Sequence, residues 1–322
     1  MSKVQWTVDA GSAGLRLDKF LAAPDRLGSR QRANTSLERG RVSVNGSEVG
    51  IGEAGTRVLA GDVIGFWGDR PGTAKRPRRP MDRGGLNIVY EDDVLLVVNK
   101  PAGLLTVPLE RKGSVPSVYD LIANRFKSHG KRRPYVVHRI DQDSSGLVVF
   151  AKDALTQRAL QDQFKRREPE RVYHAVVHGR VEPAEGTWRN YLVWNTKALI
   201  QKETHAGDPR GIESISDYRV LEAFEHASLL EVTLRTGRRN QIRVQAQVRG
   251  HSLVGENRYV ALREAKRGGE AISFGRQALH AFRLSFKHPV DGRTLNFEGP
   301  LPADFVDLIS RLRRRTRVRP RG

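Results

Sequence analysis

Cysteine is absent from the chain, so neither a disulfide framework nor a thiolate metal site is available, and the composition fits a reducing compartment. Long apolar runs are absent as well. VLLVV, at residues 94–98, is the longest near the centre, against the roughly 20 apolar residues that a membrane-spanning helix needs. The opening MSKVQWTVDAG lacks the apolar core of an export signal, and the expectation is a cytoplasmic protein with no membrane partner. Neither the G-x-x-x-x-G-K-[ST] phosphate loop nor the G-x-S-x-G nucleophile elbow occurs, so nucleotide hydrolysis and serine esterase chemistry lose their usual support. Acidic residues are in short supply: 36 Asp and Glu face 56 Lys and Arg, a formal charge of +20 that favours a polyanionic partner. What is present suffices for a real core, since 322 residues with 38% hydrophobic content hold one large domain or two smaller ones.

The charge is unevenly placed. Residues 68–83, GDRPGTAKRPRRPMDR, carry six basic and two acidic residues, and residues 311–322, RLRRRTRVRPRG, carry seven basic and none acidic. These short segments hold 11 of the 20 net charges, and their Pro, Gly and like charges oppose compact folding. The expected organisation is a front domain over 1–67, a basic flexible linker over 68–84, a large body over 85–310 and a disordered basic tail over 311–322. Such arms either keep the protein soluble or gather phosphate backbone through counterion release, which adds affinity without sequence choice.

In the front piece, GLRLDKFLAA spaces Leu15, Phe20 and Leu21 with helical period, and SRQRANTSLERG predicts a second helix with Ser29 as cap and Gly40 as stop. The period then changes to two. RVSVNGSEV alternates Val42 and Val44, turns at Asn45-Gly46 and returns through Val49. The order helix, helix, hairpin and AGDVIGF resembles the S4 RNA-binding domain over residues 14–66, down to the RLDKFL opening and the GRVSVNG turn.

The body opens with LNIVYEDDVLLVVNKPAGLLTVP, strand-like runs broken by turns. SVYDLIANRF reads as a short amphipathic helix, and DALTQRALQDQFKRRE as a longer one with Leu155, Ala159 and Phe164 on its inner face. Strands return in RVYHAVVHGRV, HASLLEVTLRT and QALHAFRLSFKHP. Helices and strands mix without a regular βαβ rhythm, so the predicted class is α+β with a mixed, largely antiparallel sheet.

Between two strand-forming runs, PYVVHRIDQDSSGLVVFAK concentrates His138, Arg139, Asp141, Asp143, Ser144 and Ser145 in a loop. His138, Asp141 and Ser144 follow one another too closely to assemble Ser–His–Asp geometry. His174 and His178 have the i, i+4 spacing of a zinc-binding helix, but VYHAVVHG has strand composition, which sets them about 13 Å apart. No metal site is expected.

HRIDQDSSGLVVFAKD resembles the signature of the RluA-type pseudouridine synthases, in which His-Arg-Leu-Asp is followed by a small hydroxyl residue, Ser, Gly and an apolar strand. VNKPAGLLTVP, RVYHAVVHG, LRTGRRNQIRVQAQVRGHSLVGENRY and LHAFRLSFKHPVDGRTLNFEGPLPADF resemble further segments in the family's order, so the resemblance spans residues 86–305. An S4 domain ahead of such a body is a familiar arrangement in that family. The resemblance implies the pseudouridine synthase fold and an isomerase acting on uridine within RNA, with no cofactor: uracil leaves C1′, turns over and rejoins through carbon 5. Breaking the glycosidic bond builds positive charge on the sugar, which an ionised carboxylate stabilises or attacks. By the resemblance that carboxylate is Asp141; attack on the sugar, attack on the base and removal of a sugar proton all stay open. Arg243, in NQIR, is implied as its fixed cation, and Tyr173 as the ring that stacks on uracil and helps take the proton from carbon 5. A stacked uridine must be flipped out, and Arg139 is expected to enter the vacated space. His138 is grouped with it as an RNA-binding or base-flipping residue, and Arg238 and Arg239 are expected on the RNA backbone.

Asn240 stands where many relatives have His, Gln245 where His often follows RV, Glu256 where Asp often follows VG, and Ser144 where Thr is common. None of these replaces Asp141, Tyr173 or Arg243, so the expectation is an active, monomeric enzyme of rRNA processing that modifies 23S (large-subunit) ribosomal RNA. Transfer RNA is the alternative substrate. The rival class is a catalytically inactive RNA-binding or ribosome-assembly factor, whose mark would be loss of the acid or its Arg.

Overall fold

The computed structural model describes residues 3–38, 40–68, 86–108, 115–127, 133–196, 198, 200–260 and 272–318. The chain divides into two compact units, Met1–Arg83 and Gly84–Gly322. All but the first residue of the expected linker lies outside the described residues.

The first unit runs β1 (Lys3–Thr7), α1 (Leu17–Leu21), α2 (Arg30–Glu38), β2 (Val42–Val44), β3 (Ser47–Val49) and β4 (Val63–Trp67). Ser29 Oγ accepts the Arg32 N–H at 3.2 Å and so caps α2, and Gly40, at φ +60°, follows the helix end. The β2–β3 turn places Asn45 and Gly46 at φ +50° and +83°, the left-handed pair that a two-residue hairpin of this twist requires. Sheet order is β1-β4-β2-β3; β1, which the sequence patterning did not foresee, pairs antiparallel with β4. Leu17, Phe20, Leu21, Leu37, Val42 and Ile64 form the core of this unit.

The second unit contains β5 (Ile88–Glu91), β6 (Leu95–Lys100), α3 (Val118–Lys127), β7 (Tyr135–Val136), β8 (Ser145–Ala151), α4 (Ala154–Arg166) and β9 (Glu170–His178). It continues through β10 (Glu185–Asn195), β11 (Ile200–Thr204), β12 (Ile212–Ala223), β13 (Ala227–Leu234), α5 (Gln241–Val248), β14 (Leu279–Lys287), β15 (Thr294–Glu298) and α6 (Ala303–Val318). One sheet runs β11-β10-β12-β13-β9-β14-β8-β6-β5, with β15 on β14 and β7 on β8. Its pairings are antiparallel except that of β14 with β8, which covers His280↔Ser145 and Ala281↔Gly146. The α+β class with a mixed, largely antiparallel sheet is therefore the observed one.

Strands β6 and β8 are buried on both faces, which explains their continuous apolar runs. Leu96, Val98, Val148 and Phe150 pack with Val118, Ile122 and Phe126 of α3, while Leu95, Val97, Leu147 and Val149 pack with Leu160 of α4. Burying each such side chain contributes roughly 1.5–3 kcal/mol. At the parallel crossing Gly146 has φ +116°, and a Cβ there would meet the Ala281 backbone, 2.6 Å from its nitrogen. Only glycine fits both the dihedral and the approach.

Two expectations need correction. Leu155 is 77% exposed, and the inner face of α4 is Thr156, Leu160 and Gln163. The Asp153 cap sets that phase, because its carboxylate takes both the N–H (2.8 Å) and the hydroxyl (2.7 Å) of Thr156 and turns the neighbouring Leu155 outward. The expected tail from residue 311 continues α6 as far as Val318. Phe305, Leu308, Ile309 and Leu312 keep the helical apolar stripe against Val176, Phe224 and Leu229, and Arg313 pairs with Glu222 at 2.7 Å. Residues 319–322 lie outside the described residues. No described helix is long and apolar enough to cross a membrane.

Candidate active site

The loop between β7 and β8 is held carbonyl by carbonyl. Thr106 Oγ1 donates to Ile140 O at 2.8 Å, Ser144 N–H to Asp141 O at 3.2 Å, and Gly103 N–H to Gln142 O at 2.9 Å. Lys100 Nζ also donates to Gln142 O, at 2.8 Å, and Arg276 Nη1 to Asp143 O at 3.1 Å. Every backbone carbonyl from Ile140 to Asp143 thus has a donor, and a loop so satisfied has little freedom to shift. Lys100 is fully buried at the end of β6, and its other two hydrogen bonds go to Pro101 O (3.0 Å) and Leu104 O (2.8 Å). Burial pulls its pKa down to about 7, opposed by the charges of Asp143 and Asp141. At the base of the loop, His280 Nε2 faces the Gly299 carbonyl at 3.1 Å and must donate to it, so Nδ1 accepts from Ser145 Oγ at 2.9 Å.

This loop presents Asp141 to Arg243, the third residue of α5. The Arg243 Nη1–Asp141 Oδ2 distance is 3.1 Å, with the guanidinium side chain 7% and the carboxylate side chain 26% exposed. Arg243 is held from behind: Nε and Nη2 each donate to one oxygen of Glu256 at 2.7 Å, and Nη1 also donates to Asn240 Oδ1 at 3.2 Å. Glu256, with its carboxylate completely buried, further accepts the N–H groups of Asn257, Arg258 and Tyr259. Burial works against the charge on Arg243, but Glu256, followed by Asp141, outweighs it and leaves the pKa raised; burial likewise works against Glu256, and Arg243 prevails to lower its pKa. A cation fixed in this way keeps one edge of Asp141 ionically matched while Oδ1 accepts no hydrogen bond from the described residues.

The three departures around Arg243 now have local reasons. Asn240 begins α5 at φ +54°, a left-handed conformation that Asn tolerates, and its amide bridges Arg243 Nη1 and the Tyr259 hydroxyl (2.8 Å). Gln245 is fully buried, accepts from Ser216 Oγ at 2.7 Å and donates to Trp188 O at 3.1 Å and Ser214 O at 3.0 Å. It therefore ties α5 to β10 and β12. Glu256 is the bidentate partner that the sequence reading passed over; its only sequence signal was an acid at the VG-x position. Lys100 and Arg276 were also missed, since a Lys ending an apolar strand was the one hint of the first and none marked the second.

Tyr173 lies on β9 in the core that includes Ile140 and Ile242, close enough to Asp141 for its phenol to feel the carboxylate. Burial raises its pKa, Arg171 opposes that, and Asp141 adds to it. Asp141, Tyr173 and Arg243 are thus brought together. Arg139 is exposed beside them. His138 is turned inward: Nε2 accepts the Val149 N–H at 3.2 Å, and the ring stacks on Phe164 at 4.7 Å between centroids. Burial, helped by the charge of Arg171, lowers its pKa to about 3, so it is a neutral strand-holding group. Arg238 is half-buried with Nε on the Glu213 carbonyl at 3.3 Å, and Arg239 is exposed with its guanidinium 4.2 Å from the Trp194 ring centroid.

A mixed sheet thus carries the loop that holds the Asp141 carboxylate against a guanidinium borne on α5. Two solved human structures share the fold: RNA Pseudouridylate Synthase Domain Containing 4 (TM-score 0.57, 23% identity, covering 70% of this chain and 93% of that one) and Domain Containing 1 (0.56, 22%, 74% and 97%). Residues 94–248 match the RNA pseudouridylate synthase family. The uncharacterised RNA pseudouridine synthase YlyB of Bacillus subtilis is 35% identical over 317 residues, covering 98% of this chain and 99% of its own. Ribosomal large subunit pseudouridine synthase D of Zymomonas mobilis is 33% identical, covering 97% and 98%, and that of Neisseria meningitidis serogroup A is 35% identical, covering 97% and 82%. The chain belongs to the RNA pseudouridylate synthase family and is an isomerase, an RNA pseudouridine synthase.

Proposed function

We propose that this enzyme converts uridine to pseudouridine in large-subunit ribosomal RNA, in the cytoplasm, with Asp141 as the reacting carboxylate. The observation that supports the substrate most is near end-to-end similarity, at 33–35% identity, to relatives called ribosomal large subunit pseudouridine synthase D. In this reading the first unit is an S4-like RNA-binding domain, for which the capped helix and the Asn45-Gly46 hairpin speak.

Chemistry follows from the charges. As the glycosidic bond lengthens, positive charge grows on the sugar and negative charge on the departing uracil. Asp141 answers the first, with Arg243 and Glu256 holding its carboxylate in place. Tyr173, buried and with a raised pKa, keeps its proton and stacks on the base while it turns; once carbon 5 has bonded to C1′, the Asp141 carboxylate takes up the carbon 5 proton, and N1 of the turned base gains a proton from solvent, so no atom is gained or lost overall. Arg139, exposed next to Asp141, fills the space in the RNA stack. Arg238 and Arg239 contact backbone phosphates on either side. His138 acts from within, by fixing the strand that follows the loop.

The test is pseudouridine mapping of ribosomal and transfer RNA from strains with and without the gene, followed by incubation of the unmodified RNA with purified protein. Conversion of defined large-subunit uridines by wild type, and none by Asp141→Asn with RNA affinity retained, is the expected result. Sites confined to transfer RNA would overturn the substrate, and no change at any uridine would overturn the catalytic role.

A further inference from the structure

We infer that Arg171 binds a backbone phosphate of the RNA strand that carries the target uridine, at a site separate from the flipping residue Arg139. This inference rests on the enzymatic reading above. Strand β9 places Arg171 two residues before Tyr173, hence on the same face. Its guanidinium is largely buried, yet among the described residues it forms no ion pair or hydrogen bond, and Nε is buried without a partner. The nearest carboxylates along the chain are engaged elsewhere: Glu168 with Arg166 at 2.8 Å, and Glu170 3.8 Å from Arg283.

The head group is nonetheless positioned. Its Cζ lies 5.6 Å from the Phe164 ring centroid, and Gly237 faces it so closely that a Cβ there would fall on Nη1. Gly237 leads directly into Arg238, which in turn feels the charge of Arg167, set against that of Glu213. Arg167, Arg171 and Arg238 therefore gather near one another, and none forms an ion pair with a described carboxylate. Like charges crowded together, one with a buried nitrogen unsatisfied, cost free energy until an anion completes them. A phosphodiester matches: its oxygens accept several charge-assisted bonds from a forked guanidinium, and one flanks each side of the nucleotide that must reach Asp141. Acidic protein segments offer carboxylates too, but Arg171 shares the face of β9 with Tyr173, the residue proposed to stack on the base.

The test measures binding of a large-subunit RNA fragment containing the mapped uridine, by fluorescence anisotropy across a salt series. Proteins compared are wild type, Arg171→Gln and Arg171→Lys, each also with RNAs that carry one methylphosphonate linkage, on a 2′-O-methyl residue, at successive positions around the uridine. Expected for Arg171→Gln is about tenfold weaker binding, a log Kd against log salt slope lower by about one, and kcat at saturation within about threefold of wild type. One methylphosphonate position should weaken wild type to the same degree and Arg171→Gln no further, with Arg171→Lys in between. Unchanged affinity and slope, or equal methylphosphonate penalties in both proteins, would overturn the proposal. So would a fall in kcat with Kd unchanged, which assigns Arg171 to positioning Tyr173. Should Arg171→Gln not fold, the same scan with wild type and Arg171→Lys decides. Wild type that binds the fragment but converts no uridine overturns the substrate reading, and the binding comparison still decides Arg171.

Discussion

Glu256 receives two hydrogen bonds from Arg243, from Nε and from Nη2, each 2.7 Å long, and its carboxylate has no exposure to solvent. The remaining edge of the same guanidinium meets Asp141 at 3.1 Å. Asp141 is thus aligned by a residue 13 positions beyond its own partner in the chain, and its carboxylate inherits its direction from a buried ion pair.

Glu256→Gln removes one charge from that pair and leaves Arg243 buried without its main counterion. The expected loss is about 3 kcal/mol of stability and a kcat lower by about tenfold or more, with RNA affinity little changed. Glu256→Asp, which retains the charge on a shorter arm, should recover part of both. Urea unfolding and single-turnover pseudouridine formation check the pair; a Glu256→Gln protein with wild-type kcat would show that Asp141 does not need this support.

Lys100→Met fills the same space with an apolar chain and strips a donor from the carbonyls of Pro101, Leu104 and Gln142, the last of which lies in the Asp141 loop. Losing these three bonds, with the Pro101 and Leu104 carbonyls left without a donor among the described residues, should cost about 3 kcal/mol together. Because the Gln142 carbonyl loses one of its two donors, turnover should fall more than RNA affinity does. Denaturant midpoints alongside Kd and kcat give the comparison.

Gly146→Ala asks for a side chain at φ +116° and on top of the Ala281 backbone. Both the dihedral and the clash act at the sole parallel pairing among the described strands of the sheet, so a penalty of about 4 kcal/mol or more is expected. Calorimetry should show a much lower Tm or no folded protein, whereas alanine at Gly275, with open space around its Cβ, should be tolerated.

Acid should unfold the enzyme partly through His280. Burial lowers its pKa from 6.5 to about 4, against the hydrogen bond to Gly299, which raises it. Its stabilising contribution is therefore present above pH 6.5 and is lost as pH falls toward 4, because the unfolded chain takes a proton that the native site refuses. On the order of 2 kcal/mol should be gone by pH 5 from this group alone. Unfolding free energies measured from pH 7 to 5 should decline, and His280→Gln, less stable at pH 7, should decline less steeply.

Much of this enzyme was legible in its residues. Alternation and turn chemistry locate the Asn45-Gly46 hairpin, because a two-residue turn leaves few backbone choices, and apolar runs locate β6, β8 and β14. Local pattern also misled. Leu155 has the spacing of an inner position, but the phase of α4 follows its cap and the sheet beneath; the arginines after residue 310 read as an unfolded tail, while Leu308 and Leu312 anchor that stretch as helix. Short-range interactions follow from the order of residues, and so sequence alone determines the strands on either side of the Asp141 loop. Long-range pairing depends on which loops the sheet carries into contact. Only the tertiary structure decided that Lys100 secures Gln142, that His138 faces Phe164 and not solvent, that Arg171 has no counterion among the described residues, and that Arg243 reaches Asp141 by leaning on Glu256.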